Sequence, residues 1–159
     1  MRQFINKYGA VIVTVIVVLA GLSYWLFGTT SRNPAGNTGM AFFVDEETGD
    51  ESIHPIGDLP PLPGKSGKPT VVRAMKYSCD GGKNSKTRYL VKFTPEAQSR
   101  LKTMAQDDVN RPDVMARGEM VRSPEKGSSW YPATSTEGAQ LRTLPDCPSG
   151  QTMVLVTPR

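Results

Sequence analysis

The feature that most constrains this chain is an apolar run near its N-terminus, residues 9–27 (GAVIVTVIVVLAGLSYWLF), which contains no charged residue. At about 1.5 Å of rise per residue, an α-helix of this length reaches roughly 28 Å, close to the thickness of the hydrocarbon core of a bilayer. Such a helix is apolar on every side, and the remaining chain has too little apolar surface to cover it. The run therefore predicts a transmembrane helix at 9–27.

Charged and aromatic residues at both ends of the run predict its orientation. Two basic residues precede the run, whereas Arg32 is the only basic residue in the 30 positions that follow it. The positive-inside rule then places residues 1–8 in the cytoplasm and the C-terminal part in the periplasm or outside the cell, with the helix in the inner (plasma) membrane. The expected residues at the membrane interface are Arg2, Lys7, Tyr8, Tyr24 and Trp25.

A cleaved secretory signal is the main alternative to a permanent anchor. Its apolar stretch is usually about 7 to 15 residues long and ends at a small-x-small site. The run here is longer, and the bulky residues from Tyr24 to Phe27 occupy the place where cleavage is expected. We therefore favour an uncleaved signal-anchor. A pilin-type anchor is disfavoured, because no acidic residue occurs before Asp45.

After the apolar run the chain is polar and rich in Gly and Pro, which supply 26 of its last 132 residues. Residues 28–39 (GTTSRNPAGNTG) have the composition of a flexible tether. What remains, 40–159, is long enough for one small extracytoplasmic domain and excludes a large multilayer enzyme core.

The pattern of 40–159 predicts the α+β class: an N-terminal transmembrane helix followed by a small, mostly antiparallel β domain with one capped helix. Residues 40–44 and 51–56 predict one hairpin, and 70–79 and 87–93 predict a second, joined by the turn DGGKNSK. The four prolines of 57–69 favour an extended loop over a central strand. Further strands are expected at 118–122 and 152–158.

Alternation in the strand 87–93 predicts one buried face, formed by Tyr89, Val91 and Phe93. Thr94 then predicts a helix cap, with Pro95 at the first position of a helix of about 11 residues. An irregular continuation of this helix is expected until Pro112. A further helical turn is expected from Ser135 to Leu141. The apolar stripe of the capped helix is expected to be Ala97, Leu101 and Met104.

The chain has two cysteines, Cys79 and Cys147, separated by far more than a C-x-x-C redox or zinc spacing. Outside the cytoplasm an even pair most simply predicts a disulfide. Two unlinked thiols are the alternative. Zinc sites use three or four Cys or His ligands. Besides the two cysteines, His54 is the only residue of these types in the sequence. The sequence therefore predicts no metal site, no cofactor and no catalytic residue.

Charge is segregated along the domain. Residues 41–58 carry six acids and no bases, while 65–102 carry ten bases and two acids. Either the two segments neutralise each other, or the basic one forms a docking face for an anionic partner. The acidic run from Asp45 to Glu51 lacks the calcium-loop pattern and predicts a solvated hairpin tip. The expected docking face comprises Lys65, Lys68, Lys76, Lys83, Lys86, Arg88 and Lys92.

Four segments carry a resemblance to known sequences: MAFFVDEETG, VRAMKYSCDGG, RYLVKFTPEAQSRL and EGAQLRTLPDCPSG. Over most of residues 40–157 they resemble a family of small, single-anchor exported proteins of planctomycete-type bacteria with no assigned activity. The shared features are an acidic turn near the anchor, a strand end of the form Y-x-C-(D/G)-G and a helix start of the form (T/S)-P-E-A. This resemblance implies an envelope location and supplies no catalytic residues.

These patterns together predict a non-enzymatic, membrane-anchored envelope protein that docks on or scaffolds another envelope component. Its expected partners are membrane lipid and an envelope protein or anionic envelope polymer, and no nucleic acid. One alternative is a subunit of a pilus-like or secretion assembly. Another is an enzyme or glycan binder with an unrecognised site, in which Trp130 and Tyr131 line a sugar platform instead of covering the core.

Overall fold

The computed structural model describes residues 39–148 and 150–158. The predicted N-terminal segment, transmembrane helix and tether up to residue 38 lie outside these residues, as do the expected interface residues Arg2, Lys7, Tyr8, Tyr24 and Trp25. Within the described ranges no helix is both long enough and apolar enough to cross a membrane.

The described chain forms a small antiparallel sheet domain of the α+β class with three helices. The sheet order is β2-β1-β4-β5-β6-β7, and the short strands β3 and β8 also pair with β4. Both predicted hairpins, β1–β2 and β4–β5, are confirmed. The strands are β1 (Met40–Asp45), β2 (Glu51–Pro55), β3 (Leu62–Pro63), β4 (Pro69–Ser78), β5 (Ser85–Phe93), β6 (Glu119–Arg122), β7 (Tyr131–Pro132) and β8 (Val154–Leu155), and the helices are α1 (Pro95–Thr103), α2 (Arg111–Gly118) and α3 (Thr136–Arg142).

Both faces of the sheet are buried, which corrects the prediction of a single buried face. On the helical face, defined by Tyr89, Val91 and Phe93, the strands pack against side chains of the three helices. On the opposite face, which we call the open face, Leu90 is only 3% exposed and clusters with Val72 and Ala74. The side chains packed on that cluster come from β1 and from the loop before β7, and they are Phe42, Val44 and Trp130. Alternation in one strand could not show that distant segments cover its second face.

Helix α1 begins as the sequence predicted. The Thr94 side chain accepts a hydrogen bond from the amide of Ala97 at 3.3 Å, and Pro95 occupies the first turn. The helix ends at Thr103 after nine residues, shorter than expected, because Met104 already has an extended backbone. The predicted apolar stripe is buried at Ala97 and Leu101 and partly buried at Met104.

The prediction of one capped helix was incomplete, and the predicted continuation of α1 to Pro112 was wrong. A separate helix, α2, begins at Arg111 with Pro112 in its first turn, where the missing N–H of proline has no helical partner to lose. Gly118, at the end of α2, is buried, and a Cβ atom there would lie 2.0 Å from the Cβ of Ala97. The close packing of α1 on α2 therefore depends on this glycine.

The C-terminal tail pairs with the sheet over a shorter stretch than the predicted strand 152–158. Only Val154 and Leu155 form β8, opposite Ser78 and Tyr77 of β4, and both are exposed. Strand β1 already pairs with β4 around Val72, so the tail meets only the far end of that strand. The β-branched composition of the tail indicated a strand but could not show how much of β4 remained to pair with it.

Candidate functional site

The predicted disulfide is confirmed. Cys79, directly after β4, is bonded to Cys147 in the tail, with the two Cα atoms 5.7 Å apart. Cys147 is buried, and neither cysteine is free. The bond closes a loop with a sequence separation of 68 residues. In the chain-entropy model such a loop stabilises a fold by about 4 kcal/mol, so this bond is a major contribution in a domain with short strands.

The acidic run is paired with bases from other elements. Lys65 Nζ lies 2.6 Å from Asp50, and Lys76 Nζ lies 2.6 Å from Glu51. Lys68 also contacts Glu47, and Arg122 lies 2.8 Å from Glu46. Three bases of the expected docking face, Lys65, Lys68 and Lys76, are therefore neutralised within the domain. We refer to Asp45–Glu51 with these partners as the charged hairpin.

Asp45 and Glu46 depart from the expected solvated hairpin tip. Asp45 is only 5% exposed, and its carboxylate accepts a hydrogen bond from the amide of Glu47 at 2.9 Å, which lowers the pKa of Asp45. A Cβ atom on Gly64 would lie 2.6 Å from this carboxylate, so the neighbouring loop approaches closely because it carries a glycine there. Asp45 is a structural anchor of the hairpin, held by backbone donors.

Cations lie over aromatic rings on the open face. Lys76 Nζ is 4.7 Å from the centre of the Phe42 ring, and Lys92 Nζ is 4.3 Å from that of Trp130. The guanidinium of Arg122 also lies over Trp130, at 5.1 Å. Such contacts stabilise the ring and let the aliphatic stems of the cations cover the sheet. Trp130 therefore covers the core cluster, and Lys92 is engaged with it.

The remaining bases of the expected docking face lie at or near the β4–β5 turn: Lys83, Lys86 and Arg88. None of them has an ion-pair partner within the described parts of the chain. The turn itself is held by Asp80, whose carboxylate accepts hydrogen bonds from Asn84, including its amide at 2.9 Å, and from the Ser78 hydroxyl. These donors lower the pKa of Asp80 to about 2. The DGG sequence is thus part of a hydrogen-bonded turn.

A surface groove of about 540 Å³ lies between α3, β7 and the loop that precedes β7. We call it the α3 groove. This volume is within the range of small-ligand sites. The sequence suggested Tyr131 as part of a sugar platform and Arg88 as part of the docking face, but it did not single out the other polar residues of this groove. The polar side chains that line it include Arg88, Ser128, Ser129, Tyr131, Glu137 and Gln140.

Two local features bring helix α3 against β7 to form one wall of this groove. Ser135 caps the helix by accepting a hydrogen bond from the Gly138 amide at 3.1 Å. A Cβ atom on Gly138 would lie 2.1 Å from the carbonyl oxygen of Pro132. Only glycine allows the helix to approach the strand this closely, so Glu137 and Gln140 face the same groove as Tyr131.

Arg88 reaches the groove from β5 through a register shift. Met75 of β4 pairs with Tyr89, but the next residue, Lys76, pairs with Thr87, so Arg88 is an extra residue without a partner in the ladder. Such β-bulges redirect a side chain and are frequent beside functional sites. The bulge explains how a base that precedes the buried Tyr89 lines a surface groove.

His54 has ordinary structural contacts. Its ring meets Phe43 edge-on at 5.0 Å and is 3.1 Å from the Ser52 hydroxyl. Among residues 39–148 and 150–158, no group of three His, Cys, Asp or Glu side chains is arranged to hold a metal ion.

Comparison with known proteins assigns no family to the chain, since no family model, curated protein or solved structure matches it.

Proposed function

We propose that this chain is a non-enzymatic, single-pass envelope protein whose small domain is exported and docks on another envelope component. The observation that carries the proposal is the disulfide between Cys79 and Cys147. Disulfides persist in oxidising compartments and are rare in the cytosol. An exported domain therefore agrees with an N-terminal run of residues 9–27 that is long and apolar enough to anchor it.

Ion pairs within the domain reduce the number of bases that are available to bind an anionic partner. Lys65, Lys68 and Lys76 are occupied by acids of the charged hairpin, so they contribute little net positive field. Lys83, Lys86 and Arg88, at the β4–β5 end of the sheet, have no ion-pair partner among the described residues. This end is the part of the expected docking face that best fits an anionic envelope polymer.

The topology is tested with protease on intact spheroplasts that carry the full-length protein with an epitope tag after Arg159. We expect the tag to be lost and only a fragment of the N-terminal 1–27 to be protected. A domain that resists protease until the membrane is opened contradicts the export. Resistance due to tight folding is controlled by digesting detergent-solubilised protein under the same conditions.

A second measurement separates docking from assembly. Full-length protein in detergent is expected to be monomeric. A variant that lacks residues 1–27 is expected to be monomeric as well. Self-assembly that is lost on this deletion would instead identify a subunit of a pilus-like or secretion assembly.

A further inference from the structure

We propose that the α3 groove binds a carboxylate-bearing oligosaccharide of the envelope. The proposal rests on the proposed export, because it names the class of partner that the exported domain contacts. It gives a role to side chains that neither the fold nor the disulfide requires. The key side chains are Arg88, Tyr131, Glu137 and Gln140.

Several polar side chains of this groove have no partner among the described residues. Within the described chain, Arg88, Ser129, Tyr131, Glu137 and Gln140 make no side-chain hydrogen bond or ion pair with another residue. A cation and an anion thus line one groove without pairing. The charged hairpin behaves differently, since Lys65, for example, lies 2.6 Å from Asp50. Donors and acceptors that converge on a concave surface without partners are what a polar ligand needs.

The residues that line the groove have the chemistry needed to bind an acidic sugar. Arg88 offers a planar fork of donors suited to a carboxylate. Glu137, Gln140 and Ser129 offer acceptors and donors for hydroxyl or acetamide groups. Tyr131 adds an aromatic ring with a polar tip, which can contact the apolar face of a sugar ring. A saccharide that carries one carboxylate among neutral polar groups matches this set, whereas a polyanion is opposed by Glu137.

The edge of the sheet beside the groove favours a saccharide over an extended peptide as the ligand. Peptides often bind by adding a strand to the edge of a sheet. Strand β7 is the edge strand beside the groove, but it has only two residues, and one of them, Pro132, has no N–H to donate. Backbone pairing with a peptide is therefore poor at this edge, and side-chain recognition of a saccharide is favoured.

The test uses the full-length protein in detergent and ligand-observed NMR. The probe is the disaccharide N-acetylglucosaminyl-N-acetylmuramic acid, and the matched control is chitobiose, which lacks the lactyl carboxylate. We expect the acidic probe to bind with a dissociation constant on the order of 1 mM, as for a small ligand in an open groove. Chitobiose is expected to bind at least about tenfold more weakly, since a charged hydrogen bond is lost.

Variants connect the binding to the groove. Arg88→Gln is expected to weaken binding of the acidic probe by about tenfold, and Arg88→Lys by less, because the charge remains but the fork is lost. Tyr131→Ala is expected to remove most of the binding that Arg88→Gln leaves. Lys102→Gln on α1 is the matched control, because it removes an exposed base that lies outside both the groove and the expected docking face, and it should change affinity by less than about twofold. Thermal melts of each variant report whether the fold is intact.

The outcomes are distinct. No binding of either sugar, equal binding of chitobiose, or an equal loss in Lys102→Gln and Arg88→Gln would each overturn the proposal. If Tyr131→Ala unfolds the protein, Gln140→Ala takes its place, with weaker binding expected because a donor and an acceptor of the groove are lost. Failure of the spheroplast test would contradict export while leaving the binding result unaffected, so the two proposals can fail separately.

Discussion

The charged hairpin and the α3 groove both place acids and bases on the surface, but they use them differently. In the hairpin, Glu46 is paired with Arg122 and Asp50 with Lys65. In the groove, Arg88 and Glu137 lie on the same surface, and neither has an ion-pair or hydrogen-bond partner for its side chain among the residues that the structure describes. Charge in a sequence therefore does not by itself indicate a binding surface. What matters is whether the fold supplies a partner for each charge.

This difference has a topological origin. The hairpin meets its bases because β1 lies beside β4 and because the loop carrying Lys65 folds back over it. The groove forms where a β-bulge, a glycine on α3 and a short edge strand come together. The first arrangement holds the sheet together, and the second leaves polar groups available to a ligand.

Removal of the disulfide is expected to destabilise the charged hairpin and the α3 groove together. We expect Cys79→Ala/Cys147→Ala to lower the free energy of unfolding by about 4 kcal/mol, because the long loop is no longer closed. Urea denaturation should show this loss, with reporters in the hairpin and the groove unfolding together. If the double variant is as stable as the parent protein, the bond is not a major contribution.

Gly138→Ala breaks the groove selectively. The added Cβ atom would meet the carbonyl oxygen of Pro132 at 2.1 Å, so α3 must move away from β7. We expect a loss of about 1 to 3 kcal/mol and loss of saccharide binding, with the charged hairpin intact. Gly57→Ala is the matched control, since nothing lies within 4 Å of its Cβ position. Thermal denaturation and the NMR binding assay distinguish the two variants.

A double-mutant cycle on Glu46 and Arg122 sharpens the structural role of the hairpin. This pair is largely shielded from solvent, with side chains 21% and 14% exposed. We expect a coupling energy of about 1 to 2 kcal/mol from Glu46→Gln and Arg122→Met. The same cycle on the exposed pair Asp50 and Lys65 should give a clearly smaller coupling. Equal coupling in both pairs contradicts the view that burial sets the contribution.

Asp80→Asn tests a carboxylate held by neutral donors, and its expected effect is the smallest. The folded pKa of Asp80 is about 2, below its ordinary value of 3.8, so the ionised group stabilises the fold above about pH 4. That contribution is lost as the pH falls through 2. The variant should be less stable than the parent protein at pH 7 and equally stable near pH 2, as measured by thermal melts. A difference independent of pH would contradict the role of ionisation.

Local patterns in the sequence predicted local structure well. The two hairpins, the Thr94 cap and the Cys79–Cys147 bond follow from alternation, capping chemistry and an even cysteine count. The burial of the open face by distant side chains and the short length of β8 could not be predicted in this way. Both depend on which distant segment occupies an edge or a face of the sheet, and hydrophobic periodicity does not contain that information.

For the same reason, the sequence predicted only part of the candidate site. Tyr131 attracted attention as an aromatic residue beside Trp130, but strand geometry separates the two, with Trp130 packed on the open face and Tyr131 in the groove. Arg88 was grouped with six other bases of similar sequence context. Its bulged position and its proximity to Glu137 depend on strand register and on helix packing across the sheet.

We propose that charged side chains in the groove bind a ligand, whereas those in the charged hairpin stabilise the fold. The most direct test is protein-observed NMR of the full-length chain in detergent during titration with the acidic disaccharide. We predict chemical-shift changes in the amides of Arg88, Ser129, Tyr131 and Glu137, with none in Glu46–Glu51. Changes concentrated in the hairpin, or no changes at all, would contradict the account.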